Sequence, residues 1–159
     1  MNNYNRQSIR LRNYDYASAG WYFLTICCFQ KQPVFGSIQT QKITLSTVGE
    51  VARQEWLLIP KFHPNIKLHE YVFMPNHMHA ILEIRKPEPG SQSKSLGQII
   101  RGYKSAVTSR SRTLTSSDSF SIWQRNYYEH IIRNEASYLA ITQYILDNPK
   151  KWHEDEYFV

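Results

Sequence analysis

Two apolar runs separated by one turn-forming pair constrain the fold of this chain more than any other feature. The runs are "IKLHEYVFM", residues 66–74, and "HMHAILEIR", residues 77–85, with Pro75 and Asn76 between them. Runs of β-branched and aromatic residues bounded by proline and asparagine are typical of strands joined by a turn. The sequence therefore predicts two neighbouring strands, and two histidines lie at the start of the second.

Strand and helix patterns alternate along the rest of the chain. "WYFLTICCF", residues 21–29, predicts a strand, and residues 31–45 predict a turn with a short edge hairpin because Pro33 and Gly36 interrupt the run. Apolar residues at helical spacing predict three helices, the first stopped by Pro60 and the last starting at Asn134. The remaining segments are a polar linker and a fourth long strand. These predicted segments are helices 46–62, 95–114 and 134–149, linker 86–95 and strand 122–133.

The order of these elements is β, α, β, β, α, β, α, with the short hairpin inserted after the first strand. This order resembles a split βαβ arrangement with one helix appended. The 159 residues are 42% hydrophobic, which is enough for one buried core. We expect a single α+β domain over residues 1–159, with a mainly antiparallel sheet of ferredoxin-like type, helices on one face and an added C-terminal helix.

The charge balance favours an anionic partner. Nineteen Lys and Arg residues stand against thirteen Asp and Glu residues, which gives a net charge of +6. A polyanion such as nucleic acid is the first candidate, although many small basic proteins bind none.

The cysteines and the N-terminus indicate where such a protein would reside. Cys27 and Cys28 are adjacent in a predicted strand, so they face opposite sides and cannot form an ordinary disulfide. The N-terminal segment lacks the apolar core of a signal peptide, and no apolar run approaches the length of a membrane span. We expect a cytoplasmic protein that does not associate with membranes.

The histidine pair His77 and His79 is the first candidate site. Residues i and i+2 of a strand face the same side, so both imidazoles project together, while Met78 and the following alternate residues take the apolar side. Two oriented imidazoles can bind a divalent metal, although an isolated His-x-His pair is more often part of a solvated face. Two ligands are too few for a closed zinc site, so an open Mg²⁺ or Mn²⁺ site for phosphate chemistry remains. The other histidines have no partner at chelating spacing: His63, His69, His130 and His153.

The last predicted helix supplies a second pair of candidates. On a helical wheel Tyr144 and Asn148 lie one turn apart on the flank of an apolar side that contains Leu139, Ile145 and Leu146. A phenol can attack a phosphate that a metal polarises, and the amide of Asn148 could add an oxygen ligand to the metal. Most helical tyrosines are ordinary packing residues, and an asparagine before a proline suits a helix end.

Four motifs and the start of the chain together resemble a known family. The motifs are "MPNHMH", "IIRGYKSAVTSR", "IWQRNYYEHIIRNE" and "YILDNPKKW", in this order, after the opening "RQSIRLRNYDYASAGWYFLTICC". The chain is similar to the REP-associated tyrosine transposases, which are single-tyrosine members of the HUH endonuclease superfamily. The histidine motif alone is weak, whereas the ordered set is specific and covers nearly the whole chain.

The resemblance implies a transposase that binds hairpins of palindromic repeats and cuts and rejoins single-stranded DNA through a 5′-phosphotyrosine. It implies a divalent metal, Mg²⁺ or Mn²⁺, with His77 and His79 as ligands from "NHMH" and Asn148 as the third. Tyr144, from "YI..NP", would be the nucleophile. Relatives are monomers or dimers, so either a monomer or a homodimer is expected.

Single-stranded DNA would also suit the basic and aromatic residues. Aromatic rings such as Tyr103, Trp123 and Tyr127 can stack on unpaired bases while cationic side chains follow the phosphates. Several of these residues are as readily explained as core or solvated residues. The cationic candidates for DNA binding are Arg10, Arg12, Arg101, Lys104, Arg110, Arg125 and Arg133.

Two other functions compete with the transposase. A catalytically silent hairpin-binding or regulatory module could use the same fold. Such a module would not need His77, His79, Tyr144 and Asn148 to occur together. A replication initiator or relaxase shares the chemistry but usually carries further domains. For the nucleophile itself, the other tyrosines to be weighed against Tyr144 are Tyr103, Tyr127, Tyr128 and Tyr138.

Overall fold

The described residues, 19–116 and 121–159 of a computed structural model, form six strands and three α-helices. Two short 3₁₀ helices, Phe29–Lys31 and Asn148–Glu154, follow the first strand and the last α-helix. In chain order the elements are β1 (Gly20–Cys27), β2 (Gly36–Gln39), β3 (Lys42–Leu45), α1 (Thr47–Phe62), β4 (Ile66–Phe73), β5 (His77–Ile84), α2 (Leu96–Thr115), β6 (Tyr128–Ile132) and α3 (Glu135–Asp147).

The main sheet has the strand order β4–β5–β1–β6, and all of its neighbouring strands are antiparallel. With α1 and α2 as the two connections, this is the order expected for a ferredoxin-like sheet. Strands β2 and β3 pair only with each other and form the predicted hairpin beside the main sheet. The predicted α+β fold with a mainly antiparallel sheet is confirmed.

Helices α1 and α2 cover one face of the main sheet. The five α2 residues assigned to its inner side are all buried, and they pack in one core with Trp56 of α1. The alternate residues of β5 from Met78 to Ile84 belong to the same core. The predicted inner residues of α2 are Leu96, Ile99, Ile100, Tyr103 and Val107.

Helix α3 lies on the opposite face, where Ile145 packs against Ile81 of β5 and Ile132 of β6. Strand β5 is therefore covered on both faces, and every residue from His77 to Leu82 is buried. A polar side chain in such a strand needs hydrogen-bond partners or an ion. His77 and His79 lie on the α3 side, because they alternate with the core residues of the α1–α2 side.

Some sequence-based boundaries were wrong. Pro60 does not stop the first helix, because α1 continues to Phe62 and the N–H of His63 bonds to the carbonyl of Ile59, so the proline removes one hydrogen bond without ending the helix. The predicted strand 122–133 is reduced to β6 and one bridge between Trp123 and Cys28, because Asn126 takes a left-handed φ of 69°.

The expected apolar side of the last helix was also too broad. Leu139 and Leu146 are about half exposed, at 57% and 50%, so only a narrow stripe around Ile145 faces the sheet. The narrow stripe leaves much of α3 open to solvent.

Candidate active site

Two imidazoles converge at the start of β5. The Nε2 atoms of His77 and His79 lie 3.1 Å apart, and both side chains are buried. Two imidazole nitrogens at about 2.1 Å from one ion, at right angles, would be about 3.0 Å apart. The spacing of the two Nε2 atoms therefore suits a shared divalent cation.

Hydrogen bonds to the other ring nitrogens orient both imidazoles. Asn76 Nδ2 donates to the carbonyl oxygens of Lys31 (3.1 Å) and Tyr157 (2.7 Å), which leaves Asn76 Oδ1 to accept from His77 Nδ1 at 2.8 Å. His77 then has its proton on Nδ1 and a free lone pair on Nε2. His79 Nδ1 lies 2.8 Å from the buried hydroxyl of Thr25, the residue opposite it on β1.

Both imidazoles remain neutral in ordinary buffers. Burial lowers the pKa of His77 to about 2, and the neighbouring His79 contributes to this shift. Burial also lowers the pKa of His79 to about 4. A neutral imidazole is the form that binds metal, so no proton has to be removed before an ion enters.

Tyr144 projects from α3 to the same place. Its hydroxyl lies 3.3 Å from His79 Nε2, and its ring meets those of His79 and Phe23 edge-on. The side chain is 45% exposed, so an external phosphate could reach the hydroxyl. Burial of the inner part raises the pKa of Tyr144, and a polar contact with Asn148 opposes the rise.

Asn148 ends α3 one turn after Tyr144 and is buried, with 4% of its surface exposed. Its amide lies close enough to His77 to favour the protonated imidazole. Its Oδ1 nevertheless accepts no hydrogen bond of good geometry from any residue in 19–116 or 121–159. A buried amide oxygen without a donor is costly, and a cation held by the two imidazoles would satisfy it.

Asp155 is a site residue that the sequence did not reveal. Its Oδ2 lies 3.9 Å from His77 Nε2, and its carboxylate is only 5% exposed. Within the described part of the chain, His77, His79 and Asp155 form the one group of three metal-binding side chains that converge within 4.8 Å. No spacing in the sequence relates Asp155 to β5, because a turn after the 3₁₀ helix brings it there.

The other proposed tyrosines lie elsewhere. Tyr103 is buried in the α1–α2 core and donates to the carbonyl of Ala52. Tyr138 contacts His69 and Trp21, away from the histidine pair. Tyr128 is exposed on β6 and touches Phe23, so it is nearer to the site than those two.

The cationic candidates for DNA binding are spread over several surfaces. Lys104 Nζ donates to the carbonyls of Gln124 and Asn126, and burial lowers its pKa to about 8. Arg110 is paired with Glu55 at 2.7 Å. Both residues, like the exposed Arg101, belong to α2, which packs on the sheet face opposite the histidines.

The remaining cationic candidates lie before and after β6 and in the N-terminal segment. Arg125 is exposed before β6, and Arg133 lines a surface cavity of about 430 Å³ with Trp21 and Tyr138. Arg10 and Arg12 lie outside the described residues. The roles of all these residues in DNA binding remain predictions.

The fold of this protein is similar to that of two solved structures. The solved structure of a REP-associated tyrosine transposase bound to a REP hairpin superposes with a TM-score of 0.64 at 23% identity, covering 91% of this chain and 74% of that one. A candidate transposase of Deinococcus radiodurans R1 superposes with a TM-score of 0.53 at 16% identity, covering 88% of this chain and 97% of that one. This protein therefore has the fold of the REP-associated tyrosine transposases.

Sequence comparison gives the family. An uncharacterized protein of Haemophilus influenzae is 43% identical over 173 aligned positions, covering 98% of this chain and 94% of that protein. The chain belongs to the family of this Haemophilus protein. No family model matches the sequence. None of the helices in the described ranges is long and apolar enough to cross a membrane.

Proposed function

We propose that this protein is a transposase that nicks and joins single-stranded DNA, with Tyr144 as the nucleophile. The observation that carries the proposal is the 3.3 Å approach of the Tyr144 hydroxyl to His79 Nε2, beside two imidazole nitrogens that converge on one point. A phenol next to a phosphate-binding metal site is the arrangement that a phosphotyrosine mechanism needs. The whole chain, residues 1–159, would act as one HUH-type domain in the cytoplasm, as a monomer or homodimer.

The residues present fit a divalent metal such as Mg²⁺ or Mn²⁺. His77 and His79 offer neutral nitrogens, and Asn148 offers a buried oxygen without a donor. When bound, the ion would polarise the scissile phosphate and stabilise the negative charge that develops on its oxygens. Asn76 and Thr25 keep the imidazoles oriented for this task through the ring nitrogens that face away from the site.

The chemical step exchanges one phosphodiester for another. Tyr144 Oη attacks the phosphorus, and the bond from phosphorus to the 3′-oxygen breaks. The phenol releases its proton to solvent, and the departing 3′-oxygen takes up a proton, so charge and atoms balance. The 5′-phosphate stays on Tyr144 as an ester, and attack by a second 3′-hydroxyl reverses the step and joins the strands.

The substrate would be hairpin DNA of palindromic repeats with an adjoining single strand. The structural neighbour is a REP-associated tyrosine transposase bound to a REP hairpin, and the net charge of +6 suits a polyanion. Aromatic side chains on the exposed part of the site face, such as Tyr128, can stack on unpaired bases.

A covalent-adduct assay tests the proposal. Labelled single-stranded DNA from palindromes flanking the gene is incubated with the protein and Mg²⁺ or Mn²⁺, and adducts that resist denaturation are resolved on a gel. We expect an adduct with the wild type and none with Tyr144→Phe, since only the attacking hydroxyl is lost. Hairpin binding and the melting temperature should stay the same.

Tyr128→Phe is the matched control. Tyr128 is 51% exposed against 45% for Tyr144, and both rings contact Phe23. This variant should form the adduct normally. Peptide mapping that finds DNA on Tyr128 or Tyr127 would contradict the assignment, and hairpin binding without any adduct would favour the silent binding module.

A further inference from the structure

A buried carboxylate faces the two imidazoles from the C-terminal segment. The side chain of Asp155 is 5% exposed, and its Oδ2 points towards His77 Nε2 at 3.9 Å. No Lys or Arg nitrogen of residues 19–116 or 121–159 lies within ion-pair distance of this carboxylate, and Lys31 acts on it only from farther away. A carboxylate withdrawn from water without a cation is strongly unfavourable, and the neutral imidazoles supply no positive charge.

Residues before and after Asp155 in the chain make the contacts that fix its position. Its Oδ1 accepts a hydrogen bond of 2.8 Å from the backbone N–H of Tyr157. The Tyr157 carbonyl accepts from Asn76 Nδ2, and its ring lies against His77 with centroids 4.4 Å apart. Trp152 is buried one turn earlier and packs near His77 as well. The free Oδ2 is thus held at the site by residues that also orient His77.

The distances are compatible with one ion. Two ligand atoms at about 2.1 Å from a small divalent cation are about 3.0 Å apart when adjacent and about 4.2 Å apart when opposite. The separation of 3.1 Å between the two Nε2 atoms matches the first value, and the 3.9 Å from His77 Nε2 to Asp155 Oδ2 lies between the two. All three atoms lie within 4.8 Å of one another.

We propose that Asp155 is a metal ligand, which completes a set of two imidazoles, one amide oxygen and one carboxylate. This inference rests on the metal site of the proposed function and deepens it. One carboxylate would halve the charge of a dication and direct the site towards ions that prefer oxygen, such as Mg²⁺ and Mn²⁺. Because Asp155 directly follows the 3₁₀ helix that continues from α3, the ion would also link the C-terminal segment to β5.

Direct measurement of Mn²⁺ binding tests this role without reference to catalysis. Free Mn²⁺ is followed by its paramagnetic resonance signal during titration of the full chain, first alone and then with single-stranded DNA in the Tyr144→Phe background, where the DNA stays intact. We expect Asp155→Asn to weaken Mn²⁺ affinity at least about tenfold. Asparagine keeps an Oδ1 that can accept from Tyr157 N–H, so the turn is preserved.

Glu154→Gln is the matched control, because it removes the same charge from the neighbouring exposed residue. This variant should bind Mn²⁺ like the wild type. The rise in melting temperature on adding Mn²⁺ should persist in Glu154→Gln and be smaller in Asp155→Asn at the same Mn²⁺ concentration. Equal Mn²⁺ affinities for the two variants would overturn the proposal, and so would a wild type that binds no Mn²⁺ with or without DNA.

The adduct assay separates this inference from the proposed function. If Asp155→Asn loses Mn²⁺ affinity but the wild type forms no adduct, Asp155 is a ligand and the nicking function fails. If the wild type forms the adduct and Asp155→Asn binds Mn²⁺ normally, the nicking function stands and the role of Asp155 is refuted.

Discussion

The histidine pair should make the metal-free protein unusually sensitive to mild acid. Both imidazoles are buried, and burial lowers the pKa of His77 to about 2 and that of His79 to about 4. In the unfolded chain a histidine titrates at about 6.5. At a pH between the folded and the unfolded pKa of a histidine, the unfolded state binds more protons than the folded state. The free energy of unfolding therefore falls as the pH falls through this range.

The size of the effect follows from the two shifts. Each histidine with a lowered pKa costs the folded state about 1.4 kcal/mol for every pH unit below 6.5, until the folded pKa is reached. From pH 7 to pH 5, the two histidines together should remove about 3–4 kcal/mol from the free energy of unfolding. This is a large part of the stability of a typical domain, about 5–15 kcal/mol.

Urea unfolding at pH 7 and pH 5, with a chelator present, measures this loss. His130→Ala, which removes an exposed imidazole from β6, is the matched control variant. The double variant His77→Ala/His79→Ala should lose most of the pH dependence of the free energy of unfolding. Magnetic resonance of the imidazoles gives a second test that needs no variant: titration of His77 or His79 near pH 6.5 in the folded protein would refute the reasoning.

Two further predictions concern packing and DNA binding. An alanine Cβ at Gly49 would lie 2.1 Å from the carbonyl oxygen of Phe35, whereas one at Gly102 meets nothing within 4 Å. Urea unfolding should therefore show Gly49→Ala destabilised and Gly102→Ala stabilised by about 0.5–1 kcal/mol, and equal effects would contradict the contact at Gly49. Binding to hairpin or single-stranded DNA should weaken steeply with salt and exceed binding to duplex, since stacking needs unpaired bases. Arg101→Ala should lower the salt slope by about 1, and Arg110→Ala by less because Glu55 already pairs with Arg110; a flat salt response would indicate a different partner.

The sequence by itself determined which residues share a face of β5, of α2 and of α3. Strict alternation in β5 identified the face that carries His77 and His79, because neighbouring strand residues must point to opposite sides. Helical spacing likewise identified the five inner residues of α2. It also placed Tyr144 and Asn148 on one flank of α3, a relation that depends only on the helical repeat. These predictions rest on local periodicity, which holds wherever the chain is regular.

Tertiary structure alone decided what surrounds the two imidazoles. Asn76 and Thr25 hold His77 and His79 through a turn and a register between strands, which no repeat in the sequence specifies. Asp155 reaches the site through an irregular turn after a 3₁₀ helix, so no spacing relates it to β5. For Lys104 and Arg110 of α2, the sequence suggested charges that are available to DNA. In the structure Lys104 donates to a carbonyl of the loop before β6, and Arg110 pairs with Glu55 of α1. Whether a side chain is buried or paired depends on which helices and strands pack together, and local sequence patterns do not specify that packing.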